Sequence, residues 1–364
     1  MNRTALDDVV ATHAAGAANA REPLLVLEPL QAFLSERGLI GAGELTAAPI
    51  GMGHSNVTYL LRSGAAELVL RRPPRGPLPP SAHDVLREAR LLRALAPTAA
   101  RVPRVLAVGD DESVIGAPFY VMERVAGDVL IDTVPPAFDS PAQRRRLSEE
   151  LVDALVEVHA VDWRAHGLED FSHDPDGYLE RQLRRFGGLW DHLKTREVPA
   201  VDEVAGWLRE HLPRSGPPTI VHGDYRLGNT MMAAMAPARL VAIFDWEMAT
   251  IGDPLADVGY LCAMWVERDD PPLESVFEFS STTRQEGFLT RDELVARYEQ
   301  RSGRSVNDVR WYRALAFWKA AVFMEGNYRR AISGMTDDPW LKGFADGVVA
   351  LAERAQALTL GEGR

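Results

Sequence analysis

Three polar side chains with the types and spacing that phosphoryl transfer requires lie in the second half of the chain. In TIVHGDYRLGNTMM, four residues separate Asp224 from Asn229, and Asp245 ends the apolar segment LVAIF that follows. A carboxylate can accept or orient the proton of an acceptor hydroxyl, while an Asn and a second Asp can hold Mg²⁺ against the β- and γ-phosphates of a nucleotide. The pattern therefore predicts a phosphoryl-transfer site built from Asp224, Asn229 and Asp245.

These residues have two other interpretations. An isolated His-x-Asp pair, such as His222 with Asp224, is commonly a local hydrogen-bond pair. A metal-dependent hydrolase would need several histidines or a carboxylate-rich ligand set, and residues 219–245 contain a single histidine. The full His-x-Asp-x-x-x-x-Asn spacing, which is also that of the protein-kinase catalytic loop, favours phosphoryl transfer over both.

The elements that must position these residues fall into two regions of different pattern. Residues 45–125 read as three strands, a helix and two further strands. After residue 125 the pattern is mainly helical, except for apolar strands within 219–245. We predict an α+β fold with a loose N-terminal arm (1–23), a small β-rich N-lobe (24–125) and a larger helical C-lobe (126–358).

A glycine-rich stretch, PIGMGHSN, opens the β-rich region. Gly51 and Gly53 would let backbone N–H groups approach a phosphate, and Ser55 and Asn56 complete this candidate nucleotide-binding segment. A turn between two strands would explain the same glycines, so this segment alone does not identify a nucleotide site.

The chain resembles the kinase-like phosphotransferase family that includes aminoglycoside and choline kinases. The motifs that carry this resemblance are HGDYRLGN and FDWEMATIGDPLADV. The chain is similar above all to kinase-like domains associated with acyl-CoA dehydrogenases, through GHSNVTYLLR, LVLRRPP, SAHDVLREARLLRAL, VIGAPFYVMERVAGDV and FMEGNYRRAISG. The resemblance covers roughly residues 45–340 in order, and it implies a bilobal protein-kinase-like fold that uses ATP and Mg²⁺.

The resemblance also implies roles for residues of the C-lobe. Asp224 would be the catalytic base, and Asn229 and Asp245 would ligate Mg²⁺. His222 would support the catalytic loop. Asp253 and Asp257 would brace the site from behind.

One departure from the branch is Gly228, which stands where an Asp usually precedes the metal-binding Asn.

In the N-lobe the resemblance implies a cation that binds the α- and β-phosphates, usually a lysine. The first lysine of this chain is Lys194, so the candidate is Arg71. Strand alternation places Val69 and Arg71 on one face, which suits contacts with adenine and phosphates. Glu88 is the expected partner of Arg71.

Backbone groups around Glu123 and Val125 would bind the adenine edge. A solvated strand end is the alternative for Arg71 and its neighbour Arg72, as a surface helix position is for Glu88.

The sequence contains several candidate residues for the acceptor site. Arg226 is the strongest candidate because it lies two residues after Asp224. Further candidates, each of which could instead be a packed or solvated residue, are Tyr225, Trp246, Glu247, Glu325, Tyr328 and Arg329. The branch implies a hydroxyl on an acyl-CoA-type substrate, notably 4-hydroxyacyl-CoA. The broader family implies an aminoglycoside, choline or another small alcohol. A nucleotide-binding pseudokinase is a further alternative.

Composition excludes some classes of partner. The 364 residues include 40 basic and 52 acidic ones, a formal net charge of −12 that disfavours general nucleic-acid binding. The single cysteine, Cys262, excludes an internal disulfide framework. Three of the basic residues are lysines, namely Lys194, Lys319 and Lys342.

The N-terminal segment lacks the apolar run of a signal peptide, and Lys319 interrupts the most apolar segment, LAFWKAAVFM. We therefore expect a cytoplasmic protein without a membrane span. The sequence does not indicate an oligomeric state.

Overall fold

The computed structural model describes residues 8–17, 21–51, 56–76, 84–271, 281–335 and 339–361. The chain divides into two compact units. The first comprises Met1–Thr98 and Val102–Ala126, and the second comprises Ala99–Arg101 and Gly127–Arg364.

The first unit contains a five-stranded antiparallel sheet with the strand order β3-β4-β5-β7-β6. Its strands are β3 (Thr46–Pro49), β4 (Val57–Ser63), β5 (Ala66–Arg72), β6 (Val105–Gly109) and β7 (Phe119–Glu123). A short parallel pair, β1 (Val9–Val10) with β2 (Leu25–Val26), and the helices α1 (His13–Gly16), α2 (Leu27–Glu36) and α3 (Val85–Leu95) complete the unit.

Side-chain alternation gives the central strands two different faces. Leu68 and Leu70 of β5 pack in the apolar core of the unit with Tyr59 and Leu61 of β4. Because successive side chains of a strand point to opposite faces, Arg71 points away from that core. A two-residue turn at Gly64, whose φ is 57°, joins β4 to β5 and fixes this register.

The second unit is mainly helical. Its helices are α4 (Pro141–His159), α5 (Tyr178–Leu193), α6 (Pro199–Glu210), α7 (Leu255–Met264), α8 (Arg291–Ser302), α9 (Val309–Ile332) and α10 (Phe344–Leu360). Two antiparallel pairs carry the site loops: β8 (Thr219–Val221) with β11 (Thr250–Gly252), and β9 (Thr230–Met232) with β10 (Leu240–Ile243).

The core of the second unit forms around α9, whose Trp311, Leu315, Trp318 and Val322 are buried among apolar side chains of the neighbouring helices. Burial of this kind supplies most of the stability of long helices in proteins. None of the helices in the described ranges is long and apolar enough to cross a membrane.

The three-residue segment Ala99–Arg101 belongs to the second unit through the contacts of Arg101. Its guanidinium donates to both carboxylate oxygens of Glu157 at 2.7 Å and also to Glu150. Its carbonyl accepts from the N–H of Ile243 at 2.7 Å. Since Arg–carboxylate pairs with two parallel hydrogen bonds fix orientation, Arg101 anchors β10, the strand that leads to Asp245.

Candidate active site

A buried carboxylate holds the loop that follows β8. Asp257 of α7 accepts from the N–H of His222 at 2.6 Å and from the N–H of Gly223 at 2.8 Å. Gly223 has a φ of 86°, and a Cβ there would lie 2.8 Å from the Met248 carbonyl oxygen. A side chain at position 223 would therefore be both strained and obstructed.

A third donor completes the environment of Asp257. Nε2 of the buried His159 lies 3.2 Å from Oδ2 of Asp257, and its Nδ1 lies 2.7 Å from the hydroxyl of Tyr298. Burial lowers the pKa of His159. Burial acts to raise the pKa of Asp257, but its interactions with His159, His222 and Gly223 outweigh burial and the pKa is lowered. A neutral His159 therefore donates to an ionised Asp257.

His222 is buried and uses both ring nitrogens within the protein. Its Nε2 lies 2.8 Å from the carbonyl oxygen of Phe244, and its Nδ1 accepts from the N–H of Asp224 at 3.2 Å. The geometry assigns it a supporting position between the loop and the end of β10. It leaves neither nitrogen available for proton transfer.

The structure brings together Asp224, Asn229 and Arg226. The amide nitrogen of Asn229 donates to Oδ2 of Asp224 at 2.6 Å and to its carbonyl oxygen at 2.8 Å. Nε of Arg226 lies 3.6 Å from Oδ1 of Asp224. A Cβ at position 228 would lie 2.4 Å from Nη1 of Arg226, so Gly228 leaves the space that this guanidinium occupies.

Asp245 lies next to this group along the backbone, because the N–H of Phe244 donates to the carbonyl oxygen of Asn229 at 2.8 Å. Among the described residues other than glycine, Asp245 alone has a positive φ, at 64°. Such a conformation costs free energy and is concentrated at functional sites. Here it turns the chain sharply at the end of β10 into a short 3₁₀ helix, Trp246–Met248.

The donor set fits a hard divalent cation. The amide nitrogen of the buried Asn229 is used twice by Asp224, and within the described ranges its Oδ1 accepts no hydrogen bond. An amide oxygen and a carboxylate are ligands that Mg²⁺ prefers. No cluster of three or more His, Cys, Asp or Glu side chains suited to a metal occurs in the described part of the chain.

In the first unit, Arg71 and Glu88 form an ion pair. Nε of Arg71 lies 3.0 Å from Oε2 of Glu88, which is 2% exposed. Arg72 lies on the opposite face, where it donates to the carbonyl oxygens of Leu24, Ile115 and Pro73. The two neighbouring arginines are thereby distinguished, since Arg72 binds backbone groups within the unit.

The structure describes three further residues that were predicted to bind nucleotide, namely Val69, Gly51 and Asn56. Val69 is buried on the face of β5 opposite Leu70. Gly51 has a φ of 81°, and Asn56 is buried just before β4. Gly53 and Ser55 lie outside the described residues.

At the end of β7, the backbone groups of Glu123 and Val125 differ in whether they already form hydrogen bonds. The N–H of Glu123 donates to the carbonyl oxygen of Arg104 at 3.0 Å. The backbone groups of Val125 make no hydrogen bond to other residues in the described ranges. Val125 therefore offers the N–H donor and C=O acceptor that an adenine edge could use.

Three of the acceptor-site candidates are packing residues. The hydroxyl of Tyr225 donates to the Leu151 carbonyl oxygen at 2.7 Å, and Nε1 of Trp246 donates to that of Ile243 at 2.9 Å. The buried Glu325 accepts from the backbone and hydroxyl of Thr195.

Tyr260 belongs to the site although the sequence analysis did not select it. Burial raises the pKa of its phenol well above the usual value, and the charge of Asp224 and a hydrogen bond to it act in the same direction. The sequence spacing indicates this position, because Tyr260 lies three residues after Asp257 in α7 and so shares a helix face with it.

Comparisons with known proteins support this fold. The sequence model of a family described as "Phosphotransferase enzyme family" matches residues 46–314. Acyl-CoA dehydrogenase family member 10 of Mus musculus is 33% identical over 331 residues, which cover 90% of this chain and 31% of that protein. Family member 11 of Gallus gallus is 33% identical over 324 residues, which cover 87% of this chain and 41% of that protein. The chain thus spans less than half the length of these curated relatives.

Among solved structures, a candidate aminoglycoside phosphotransferase from Ralstonia eutropha is 31% identical to this chain, with a TM-score of 0.79. The match covers 92% of this chain and 98% of that one. A further aminoglycoside phosphotransferase, solved with GDP and kanamycin, is 15% identical with a TM-score of 0.60 and covers 90% of this chain and 98% of that one. These matches confirm the resemblance and the predicted bilobal protein-kinase-like α+β fold.

The Asp257→Asn variant should be destabilised by about 2–4 kcal/mol, because an amide offers one acceptor oxygen where three donors converge. Urea unfolding followed by fluorescence measures this change. The matched control is Asp191→Asn, at an exposed position with no hydrogen bond in the described structure. A loss below about 1 kcal/mol would contradict the importance of this carboxylate for the loop.

Proposed function

This chain belongs to the phosphotransferase enzyme family, and from that premise we propose that it transfers the γ-phosphoryl group of ATP to a hydroxyl group of a small molecule with Mg²⁺. The enzyme class predicted from the sequence is thereby confirmed, whereas ATP, Mg²⁺ and the acceptor belong to the proposal. The observation that carries the proposal is the Asp224 carboxylate, held by Asn229 at 2.6 Å beside an amide oxygen suited to a metal.

In this proposal Asp224 accepts the proton of the acceptor hydroxyl as that oxygen attacks the γ-phosphorus and the bond to the β–γ bridging oxygen breaks. Asn229 and Arg226 fix the orientation of the carboxylate, and Tyr260 packs beside it. Because the groups are positioned before the reaction, orientation and electrostatics supply most of the acceleration.

Asn229 and Asp245 would hold Mg²⁺, which would neutralise charge on the β- and γ-phosphates. Asp245 presents its carboxylate from a left-handed backbone position that the strand end imposes. In the first unit, Arg71 would bind the α- and β-phosphates, with Glu88 fixing the guanidinium. Val125 would contact the adenine through its backbone.

For the acceptor we propose a hydroxyl of an acyl-CoA-type substrate such as 4-hydroxyacyl-CoA. The support is the similarity to proteins named as acyl-CoA dehydrogenase family members over 87–90% of this chain. An aminoglycoside or another small alcohol is the second candidate, which the similarity to the Ralstonia eutropha protein favours. A mass-spectrometric assay of phosphate transfer to 4-hydroxyacyl-CoA and to an aminoglycoside panel distinguishes the two.

A nucleotide-binding pseudokinase would transfer phosphate to neither class of acceptor. The presence of Asp224, Asn229 and Asp245 together argues against it, because such a protein has no need of all three. An assay of ATP consumption with a broad panel of hydroxyl compounds tests this alternative directly.

Replacing the proposed base should separate binding from transfer. In Asp224→Asn we expect kcat to fall by about 10²–10⁴-fold, while nucleotide affinity stays within about threefold, because the amide keeps the shape but cannot accept the proton. Coupled ATP-consumption kinetics and calorimetry measure the two quantities, with Asp191→Asn as the matched control. Near wild-type turnover would show that Asp224 is not the base.

The metal site is tested at Asp245. Asn tolerates the left-handed backbone region, so Asp245→Asn should keep the turn and lose the charge. We expect nucleotide affinity measured with Mg²⁺ to fall at least about tenfold, and the affinity measured with a chelator to change little. Equal affinities for the variant and the wild type in Mg²⁺ would rule out Asp245 as a ligand.

Arg71 is tested by removing and then restoring the cation. We expect Arg71→Met to weaken nucleotide binding by about tenfold and Arg71→Lys to recover part of the loss, because a lysine keeps the charge without the planar geometry. Calorimetry measures both variants against Arg62→Met, an exposed arginine of β4 that pairs with Glu67 at 2.9 Å. If Arg71→Met binds nucleotide as Arg62→Met does, the phosphates are bound elsewhere.

A further inference from the structure

Lys319 is a half-buried cation in α9, the central helix of the second unit. It lies seven residues after Tyr312, whose hydroxyl donates to Asp253 at 2.6 Å. Seven residues are two helical turns, so Lys319 shares the helix face that Tyr312 presents to the residues behind the site. Its Nζ lies 4.8 Å from the ring centroid of Phe186 in α5.

This ammonium group has no ion-pair or hydrogen-bond partner within the described ranges. The charged groups that act on it are Arg185 of α5, Asp257 of α7 and Asp224 of the catalytic loop. Both carboxylates already have closer donors, since Asp257 binds the loop N–H groups and Asp224 binds Asn229. Neither therefore neutralises Lys319 by direct contact.

A second cation lies beside the same ring. The guanidinium carbon of Arg185 lies 6.0 Å from the centroid of Phe186, and Arg185 likewise makes no hydrogen bond or ion pair with the described residues. Burial of Lys319 and the charge of Arg185 together lower the pKa of Lys319 to about 8. Lys319 is therefore mostly protonated at neutral pH. Two cations at one ring, one of them half-buried and neither paired with a carboxylate among the described residues, produce a local positive potential.

We infer that Lys319, assisted by Arg185, binds a negatively charged oxyanion of the acceptor, either a carboxylate or a phosphate. The inference rests on the proposed function, because it places the anion on the substrate whose hydroxyl meets Asp224. An anion there gains a charge-assisted hydrogen bond in a partly desolvated setting. A polycationic acceptor is repelled by the same two cations, so the site selects acceptors by charge.

Matched pairs of acceptors isolate this selectivity. One pair is 4-hydroxypentanoate and its primary amide, and the other is 4-hydroxypentanoyl-CoA and the corresponding N-acetylcysteamine thioester. Each pair keeps the hydroxyl and removes a carboxylate or the phosphates. The pair that responds to mutation of Lys319 identifies which oxyanion it binds.

In Lys319→Met we expect the kcat/KM ratio of the anionic to the neutral acceptor to fall at least about tenfold, because a hydrogen bond to a charged group is lost. Lys319→Arg should keep most of the ratio, and the exposed Lys342→Met is the matched control. A ratio that Lys319→Met leaves unchanged in both pairs overturns the inference.

The pH dependence gives a readout that does not need a variant to fold. As pH rises through about 8, Lys319 loses its proton, so the wild-type KM for the anionic acceptor should rise while that of the neutral partner does not. In Lys319→Arg this rise should be absent. A KM that follows pH equally for both members of each pair also overturns the inference.

Failure of the proposed function has a different signature, in which the wild type transfers phosphate to no acceptor. Calorimetric titration of each pair into the wild type then still tests Lys319. Preferential binding of the anionic member, lost in Lys319→Met, supports the inference, and equal binding of both members contradicts it.

Discussion

A single buried carboxylate, Asp257, determines the geometry of the candidate active site. An ionised group without solvent contact needs hydrogen-bond donors, and Asp257 has three, from His222, Gly223 and His159. Two of these donors are consecutive backbone N–H groups of the catalytic loop. The need to satisfy the carboxylate therefore fixes the path of that loop, and with it the position of Asp224.

The second constraint acts through His222, which connects this loop to the end of β10. Because both its nitrogens bind backbone groups, the imidazole fixes the distance between Asp224 and Phe244. The chain then turns at Asp245 through a left-handed conformation. The catalytic loop and the proposed metal ligand are thus parts of one hydrogen-bonded arrangement, in which a side chain often assigned to catalysis acts as a support.

The scarcity of lysine gives the basic residues distinct tasks. Arg71 pairs with the buried Glu88, and Arg72 binds backbone carbonyls on the other face of the same strand. Guanidinium groups suit both tasks because they donate several hydrogen bonds in fixed directions. Lys319 differs from them, since its compact ammonium lies 4.8 Å from the ring centroid of Phe186 and makes no hydrogen bond or ion pair with the described residues.

The sequence by itself determined the family and the α+β fold, and it indicated Asp224, Asn229 and Asp245 as candidate site residues through their types and spacing. Strand alternation also separated Arg71 from Arg72, since neighbouring residues of a strand point to opposite faces. The tertiary structure decided which acceptor candidates are buried, as Tyr225 and Trp246 are. It also brought Tyr260 and Lys319 towards Asp224 from helices 36 and 95 residues further along the chain. Such proximity depends on helix packing across long sequence separations, which no local pattern encodes.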